Sequence, residues 1–254
     1  MSIGDAEIKT QERVIRFFKD PEILGYQYIG NLSDYQNKNI KEDRLRQYLR
    51  LKGYADKLID AAIMQLQQEA GNLSRGVYDA NKTVYSRLKY GIPVSESPEK
   101  PPVTVQLVDE EKPLNNDFAI AEEVTVVEQS EKRPDLVVYL NGIAVAVIEL
   151  KRSSISVSEG IRQNLTNQKN SFIQSFFTTM QFCMAGNESE GLRYGTLLTG
   201  EKFYMEWKDD GFKEHEEERD PVDVRISKTC EGIENKLLKQ IYAMFDKERF
   251  IDLI

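Results

Sequence analysis

Two carboxylates and an amine near the middle of the chain have the types and spacing of a phosphodiester-cleaving site. They lie in RPDLVVYLNGIAVAVIELKRSS, where Asp135 opens one apolar run and Glu149 and Lys151 close the next. Side chains alternate along a strand, so Glu149 and Lys151 point one way and Leu150 the other. Carboxylates hold hard divalent cations through oxygen. Such a cation polarises a phosphate and lowers the pKa of a bound water. A nearby lysine stabilises developing negative charge or positions that water. An acid-x-lysine triplet alone usually marks a solvated strand end. Here both runs are too apolar to be exposed, and charged groups at the end of a buried hairpin require partners or a metal.

Whether the two acids meet depends on hairpin register. Asn141-Gly142 is a strong two-residue turn signal. A strict two-residue turn pairs Leu140 with Ile143 and Asp135 with Ile148, which sends Glu149 to the opposite face. A three-residue loop over 140–142 pairs Asp135 with Val147 and leaves Glu149 diagonal on the same face, about 7–8 Å away. The chemistry therefore predicts a bulged turn with Gly142 left-handed, or an equivalent odd-residue shift within a strand.

The elements that must position these groups follow from periodicity. The N-terminal third reads as helical. One helix spans Gln11 to Lys19, with Val14, Ile15, Phe17 and Phe18 inward. Another is capped by Asn39 and runs to Lys52, a third starts at Asp56, and a fourth covers Ala80 to Tyr90. LGYQYIG is a short strand or extended turn. SESPEKPP (95–102) is a linker or long turn. Strands follow over 103–108, 118–127, 135–140 and 143–150. A helix starts at Ser158 with the stripe Ile161, Leu165, Phe172 and Phe176. RYGTLLT and KFYMEW form a second hairpin, and a last helix covers about 231–245. The middle strands are apolar on both faces, so the sheet is covered on both sides.

Composition narrows the function classes. The chain has 254 residues, 40% of them hydrophobic, enough for a substantial core. No stretch reads as a membrane span or a signal peptide. Two cysteines, Cys183 and Cys230, make no disulfide framework, and there is no CxxC. These features point to the cytoplasm. The only histidine, His215, lies in the acidic run EHEEERD, which argues against histidine triads and histidine-rich metal sites. A net charge of −8 gives no bulk attraction to DNA, so a local site or a partner must supply the grip.

The hairpin resembles the PD-(D/E)xK nuclease signature. More narrowly, the chain resembles the amino-terminal nuclease domain of the R (restriction and translocation) subunit of type I restriction enzymes. The pieces that carry this are QERVIRFF, LGYQYIGN, the helix ending at KGY, VYSRLKYGI, NNDFAIAEEVTVV, the signature hairpin and EGIRQNLTNQ. They span roughly 7–207; the acid-x-lysine triplet is unspecific, whereas the ordered series is specific.

The resemblance implies an α/β (mixed α+β) fold with a restriction-endonuclease-like core. A mixed central sheet is flanked by helices, with a helical N-terminal region. It implies Asp135 and Glu149 as Mg²⁺ ligands and Lys151 as the catalytic lysine. An acid on the first helix often completes such sites; Glu12 is the first candidate and Glu7 the second. The family also carries a glutamine and a tyrosine four apart on the following helix. Gln163 matches the glutamine, and Asn167 stands in place of the tyrosine.

Arg152 and Arg162 are candidate DNA contacts, as is Lys169. Asp117, Glu122 and Glu123 read chiefly as solvated strand charges. Tyr26, Tyr28, Tyr78, Tyr85 and Tyr90 read as core, and the acidic run as a solvated loop off the DNA path. GTLLTGEK (195–202) misses a phosphate loop, because its lysine comes one residue late and no Ser or Thr follows.

The expected organisation is a helical part over 1–100, a nuclease core over 101–210, and an acidic loop and helix over 211–254 leading to an absent motor. The expected function is Mg²⁺-dependent endonuclease action on double-stranded DNA. ATP acts only through a motor in a longer protein, and methyltransferase and specificity subunits are partners. The chain is too short for that motor, and its helical ending, KERFIDLI, suggests a fragment. The alternatives are a stand-alone repair or recombination nuclease, and an inactive nuclease-fold scaffold.

Overall fold

The computed structural model describes residues 3–97, 99–211 and 220–254; His215 and the acidic run before Asp220 lie outside them. In chain order the elements are α1 (Ile3–Lys19), β1 (Gln27–Asn31), α2 (Glu42–Leu51), α3 (Asp56–Gly71), α4 (Val77–Tyr90), β2 (Ile92–Val94), β3 (Val103–Val105), β4 (Phe118–Glu122), β5 (Val126–Val127) and β6 (Glu131–Lys132). The chain continues with β7 (Leu136–Leu140), β8 (Ile143–Leu150), α5 (Val157–Asn167), β9 (Phe182–Asn187), β10 (Gly191–Gly195), β11 (Met205–Glu206), α6 (Pro221–Glu231), α7 (Lys236–Phe245) and α8 (Lys247–Leu253).

Seven strands form one sheet in the order β1-β4-β7-β8-β9-β10-β11. β1 runs parallel to β4 and β8 parallel to β9; the other pairs are antiparallel. Every residue of β7 and β8 is buried, as expected of strands apolar on both faces. One face packs Leu136, Val138, Ile148 and Leu150 with Phe18 of α1, Leu45 of α2 and Phe245 of α7. The other packs Val137, Tyr139 and Val147 with Phe176, Phe177 and Cys183. The mixed, helix-flanked sheet is the architecture anticipated for a restriction-endonuclease-like core. Among the described residues, no helix is long and apolar enough to cross a membrane.

The β7–β8 hairpin departs from the expected bulged turn. Leu140 pairs with Ile143, and Asn141 and Gly142 both have positive φ, 52° and 82°, a two-residue turn. A Cβ on Gly142 would stand 2.7 Å from both Lys41 O and Leu45 N, so the turn docks against the start of α2. Asn141 is fully buried there and accepts the Asp117 amide at 2.7 Å. The odd-residue shift occurs inside the strand. Tyr139 pairs with Ala144 but Val138 pairs with Ala146, so Val145 is the extra residue. Its carbonyl accepts the Gln181 amide at 2.8 Å, which anchors the bulge from the β9 side. Beyond it Leu136 pairs with Ile148, and the same register sets Asp135 directly opposite Glu149, not diagonal to it.

Several other expectations are corrected. Asn39 does not cap α2: its amide donates to Ser175 O and Thr178 Oγ1, and the helix starts at Glu42. α5 ends at Asn167, so Phe172 and Phe176 leave its stripe, and Phe176 lies in a short 3₁₀ segment. β9, FCMAGN, pairs with β10 as well as β8; its weak strand composition hides it in the sequence. α7 begins at Lys236, and α6 precedes it. Of the two readings of the proline-rich 95–102 stretch, the antiparallel pairing of β2 with β3 on either side of it favours the long turn over the linker. Tyr78, Tyr85 and Tyr90 are exposed on or at the end of α4, whereas Tyr26 is core.

Candidate active site

Asp135 immediately precedes β7 and shares its face with Val137; Glu149 shares that face with Val147 across the ladder. Asp135 Oδ2 accepts the backbone N–H of Leu150 at 2.7 Å. The acid of one strand is thereby bonded to the residue between Glu149 and Lys151. Lys151 donates its own backbone N–H to Gly186 O at 2.9 Å, which holds the strand end to β9.

α5 lies over this spot. Ser156 caps its first turn, and Glu190 accepts the Val157 amide at 3.0 Å. A Cβ on Gly160 would meet Ala185 Cβ at 2.9 Å and Glu149 Cβ at 3.4 Å, so the helix rests directly on the sheet. One turn on, Gln163 Nε2 donates to Glu149 Oε2 at 2.6 Å. Gln163 is thus part of the cluster. Asn167 is buried a turn further on, its carbonyl accepting the Ile173 amide at 3.2 Å.

The first-helix acid that reaches the cluster is Glu7, which accepts from Lys151 Nζ at 3.1 Å. Glu12, the first candidate, is exposed on another side of α1. Five residues carry the helix roughly 140° around, so the two cannot share a face. Gln11, four residues after Glu7, does share its face and donates to Glu122 and Glu123, each at 3.1 Å. The i, i+4 spacing from Glu7 is the signal in the sequence that points to Gln11. Glu123 has φ 50° and donates its backbone N–H to Asp135 O at 2.9 Å, so this turn holds Asp135 in place. Glu122 also accepts from Tyr28 Oη. Asp117 lies apart, paired with Arg44. Arg162 is exposed and paired with Glu159 and Glu201, and Lys169 is exposed. Arg152 is partly buried, and its side chain has no hydrogen-bond or ion-pair partner among the described residues.

Burial sets the electrostatics. Desolvation pushes the Asp135 carboxyl up to about 6, against the Lys151 charge and the Leu150 N–H, with Glu123 and Glu7 adding to the rise. Glu149, fully buried, is raised well above the usual carboxylate range by desolvation first and by the charge of Asp135 second. Desolvation alone would lower Lys151, but Asp135, Glu149 and Glu7 outweigh it and raise its pKa. Two carboxyls that oppose each other's ionisation are a locus short of positive charge.

The donor set fits a hard cation. Glu149 Oε1 is buried without a hydrogen-bond partner, while Oε2 is held by Gln163. A buried carboxylate oxygen with no donor beside a second carboxylate is costly unless a cation or a proton satisfies it, and the raised carboxyl pKa values show that a proton does so when no cation is bound. Among the described residues, no three or more His, Cys, Asp or Glu side chains group as metal ligands. A pair of carboxylates is compatible with a hard cation such as Mg²⁺, which keeps several of its waters and needs only one or two protein carboxylates.

Comparison with curated proteins gives no match. A family model described as the type I restriction enzyme R protein N terminus matches residues 7–203. The matched span begins at Glu7 and includes Asp135, Glu149, Lys151 and Gln163. With that match over most of its length, this chain belongs to the type I restriction enzyme R protein N-terminal family.

Proposed function

We propose that the chain is a Mg²⁺-dependent DNA endonuclease domain that hydrolyses phosphodiesters of foreign, unmodified double-stranded DNA. The observation that carries this reading is that Asp135, Glu149 and Lys151 form one buried, mutually interacting cluster in which one Glu149 oxygen has no hydrogen-bond donor. A divalent cation bound there supplies charge neutralisation at the phosphate and a water of lowered pKa. The chain's own residues do the rest. Asp135, oriented by the Leu150 N–H, and Glu149, oriented by Gln163, are the ligands. Lys151, its ammonium held by Glu7, stabilises the negative charge that develops on the phosphoryl oxygens. No nucleophilic side chain takes part, so there is no covalent enzyme intermediate.

In the intact system this domain works with an ATP-driven translocase in a longer protein, and methyltransferase and specificity subunits supply sequence recognition. Such partners explain how a chain of charge −8 acts on DNA. The test is Lys151→Ala in the full complex. Cleavage falls to background while ATP hydrolysis persists; retained cleavage overturns the assignment.

A further inference from the structure

The surface around the site carries several of its arginines in matched ion pairs. Arg133, two residues before Asp135, pairs with Glu123 at 2.7 Å, and Arg162 pairs with Glu201 at 2.8 Å. Arg13 on α1 pairs with Glu188. Glu188 belongs to the turn between β9 and β10, and that turn is bonded to the segment after Lys151. Ser189 Oγ donates to Ser153 O at 2.8 Å, and Glu190 accepts the Val157 amide at 3.0 Å. Arg13 is therefore anchored beside the loop that carries Lys151 and Arg152, the latter without a side-chain partner among the described residues.

Glu188 differs from Glu123, the counter-ion of Arg133. Glu123 also binds Gln11, but Glu188 makes no second side-chain hydrogen bond or ion pair among the described residues. The side chains of the pair are 51% and 27% exposed, so water and salt screen it and it contributes little to stability. A phosphate offers the same guanidinium a charge-assisted and often bidentate bond. With no bulk attraction to nucleic acid, whatever grip the chain itself has on a DNA backbone comes from local cations, beside any that partners supply.

We propose that Arg13 is a contact for the phosphate backbone of duplex DNA, and that Glu188 holds this guanidinium in the free protein. Phosphate and Glu188 then compete for one cation, and the exchange suppresses unproductive binding. The choice of duplex DNA rests on the nuclease reading above.

The test is binding of a short labelled duplex by the chain in EDTA over a salt series, where no chemistry occurs. Arg13→Ala weakens binding severalfold and lowers the slope of log affinity against log salt by about 1, and Arg13→Lys recovers part of the loss. Glu188→Gln, a neutral near-isostere that preserves the fold, tightens binding. Opposite signs for the two positions are the signature of competition. If both substitutions weaken binding, the pair merely braces α1 against the β9–β10 turn and the proposal is wrong. It is equally wrong if neither substitution matters or if the unaltered chain binds no duplex. Failure of the nuclease reading looks different: Lys151→Ala then cleaves like the unaltered protein, whatever the binding series shows.

Discussion

Asp135 Oδ2 accepts the backbone N–H of Leu150 at 2.7 Å, so the first acid of the site is bonded to the peptide that separates the second acid from the lysine. This bond is intrinsic to the hairpin and needs no ligand. Among the described residues, Lys151 is the cation whose charge opposes the effect of burial on Asp135. Desolvation outweighs both that charge and the Leu150 N–H, and raises the carboxyl to about 6.

A pH dependence of stability follows. A carboxyl whose folded pKa exceeds its unfolded value of about 3.9 favours the folded state fully below the unfolded pKa. That contribution is lost as pH rises through about 6. In EDTA the chain should lose ~1–3 kcal/mol between about pH 4 and 6 from this group, and Glu149 extends the loss to higher pH. Asp135→Asn should remove the lower part of the slope, and Mg²⁺ should offset the loss. Thermal melting across pH with and without Mg²⁺ reads this; an unchanged slope in Asp135→Asn contradicts it.

Gln163 fixes one oxygen of Glu149 and leaves the other for a cation. Gln163→Ala should weaken Mg²⁺ binding about 10- to 100-fold, the usual effect of removing a ligand's hydrogen-bond partner. Cleavage measured against Mg²⁺ concentration should show the midpoint displaced upward. A midpoint that stays in place argues that Gln163 is incidental.

The two first-helix acids should behave differently. Glu7→Gln releases the Lys151 ammonium and should slow cleavage roughly 10- to 100-fold, because small misplacements of a reacting group are costly. Glu12→Gln should cleave at the unaltered rate. Equal effects at both positions would mean that the Glu7–Lys151 bond has no role in the reaction.

At Gly160, α5 has no room for a larger residue. Gly160→Val should destabilise the chain by about 1–3 kcal/mol through overpacking against Ala185 and Glu149. Urea denaturation checks this, and a stability equal to that of the unaltered chain would show that α5 can lift from the sheet at little cost.

Much of this arrangement was legible in the sequence, for identifiable reasons. The alternation in IAVAVIELK places Glu149 and Lys151 on one face, and the need for the acids to meet demands an odd-residue shift. Where that shift falls was not legible. The bulge sits at Val145 because Gln181 bonds its carbonyl and because Asn141 and Gly142 are locked against α2, which are tertiary contacts. The choice between Glu7 and Glu12 likewise depends on the phase at which α1 docks, set by Val14 and Phe18 in the core. β9 was missed because FCMAGN has few strand-favouring residues and owes its strand to pairing with β8. Residue type alone puts Tyr78 and Tyr85 in the core, but α4 buries Val77, Ala80, Val84 and Leu88 instead.

The central claim is that Asp135 and Glu149 together hold a divalent cation, and titration calorimetry with Mg²⁺ and Mn²⁺ tests it most directly. Binding heat in the unaltered chain that is lost in both Asp135→Asn and Glu149→Gln is the predicted result. No heat in the unaltered chain, or the same heat in all three proteins, would contradict it.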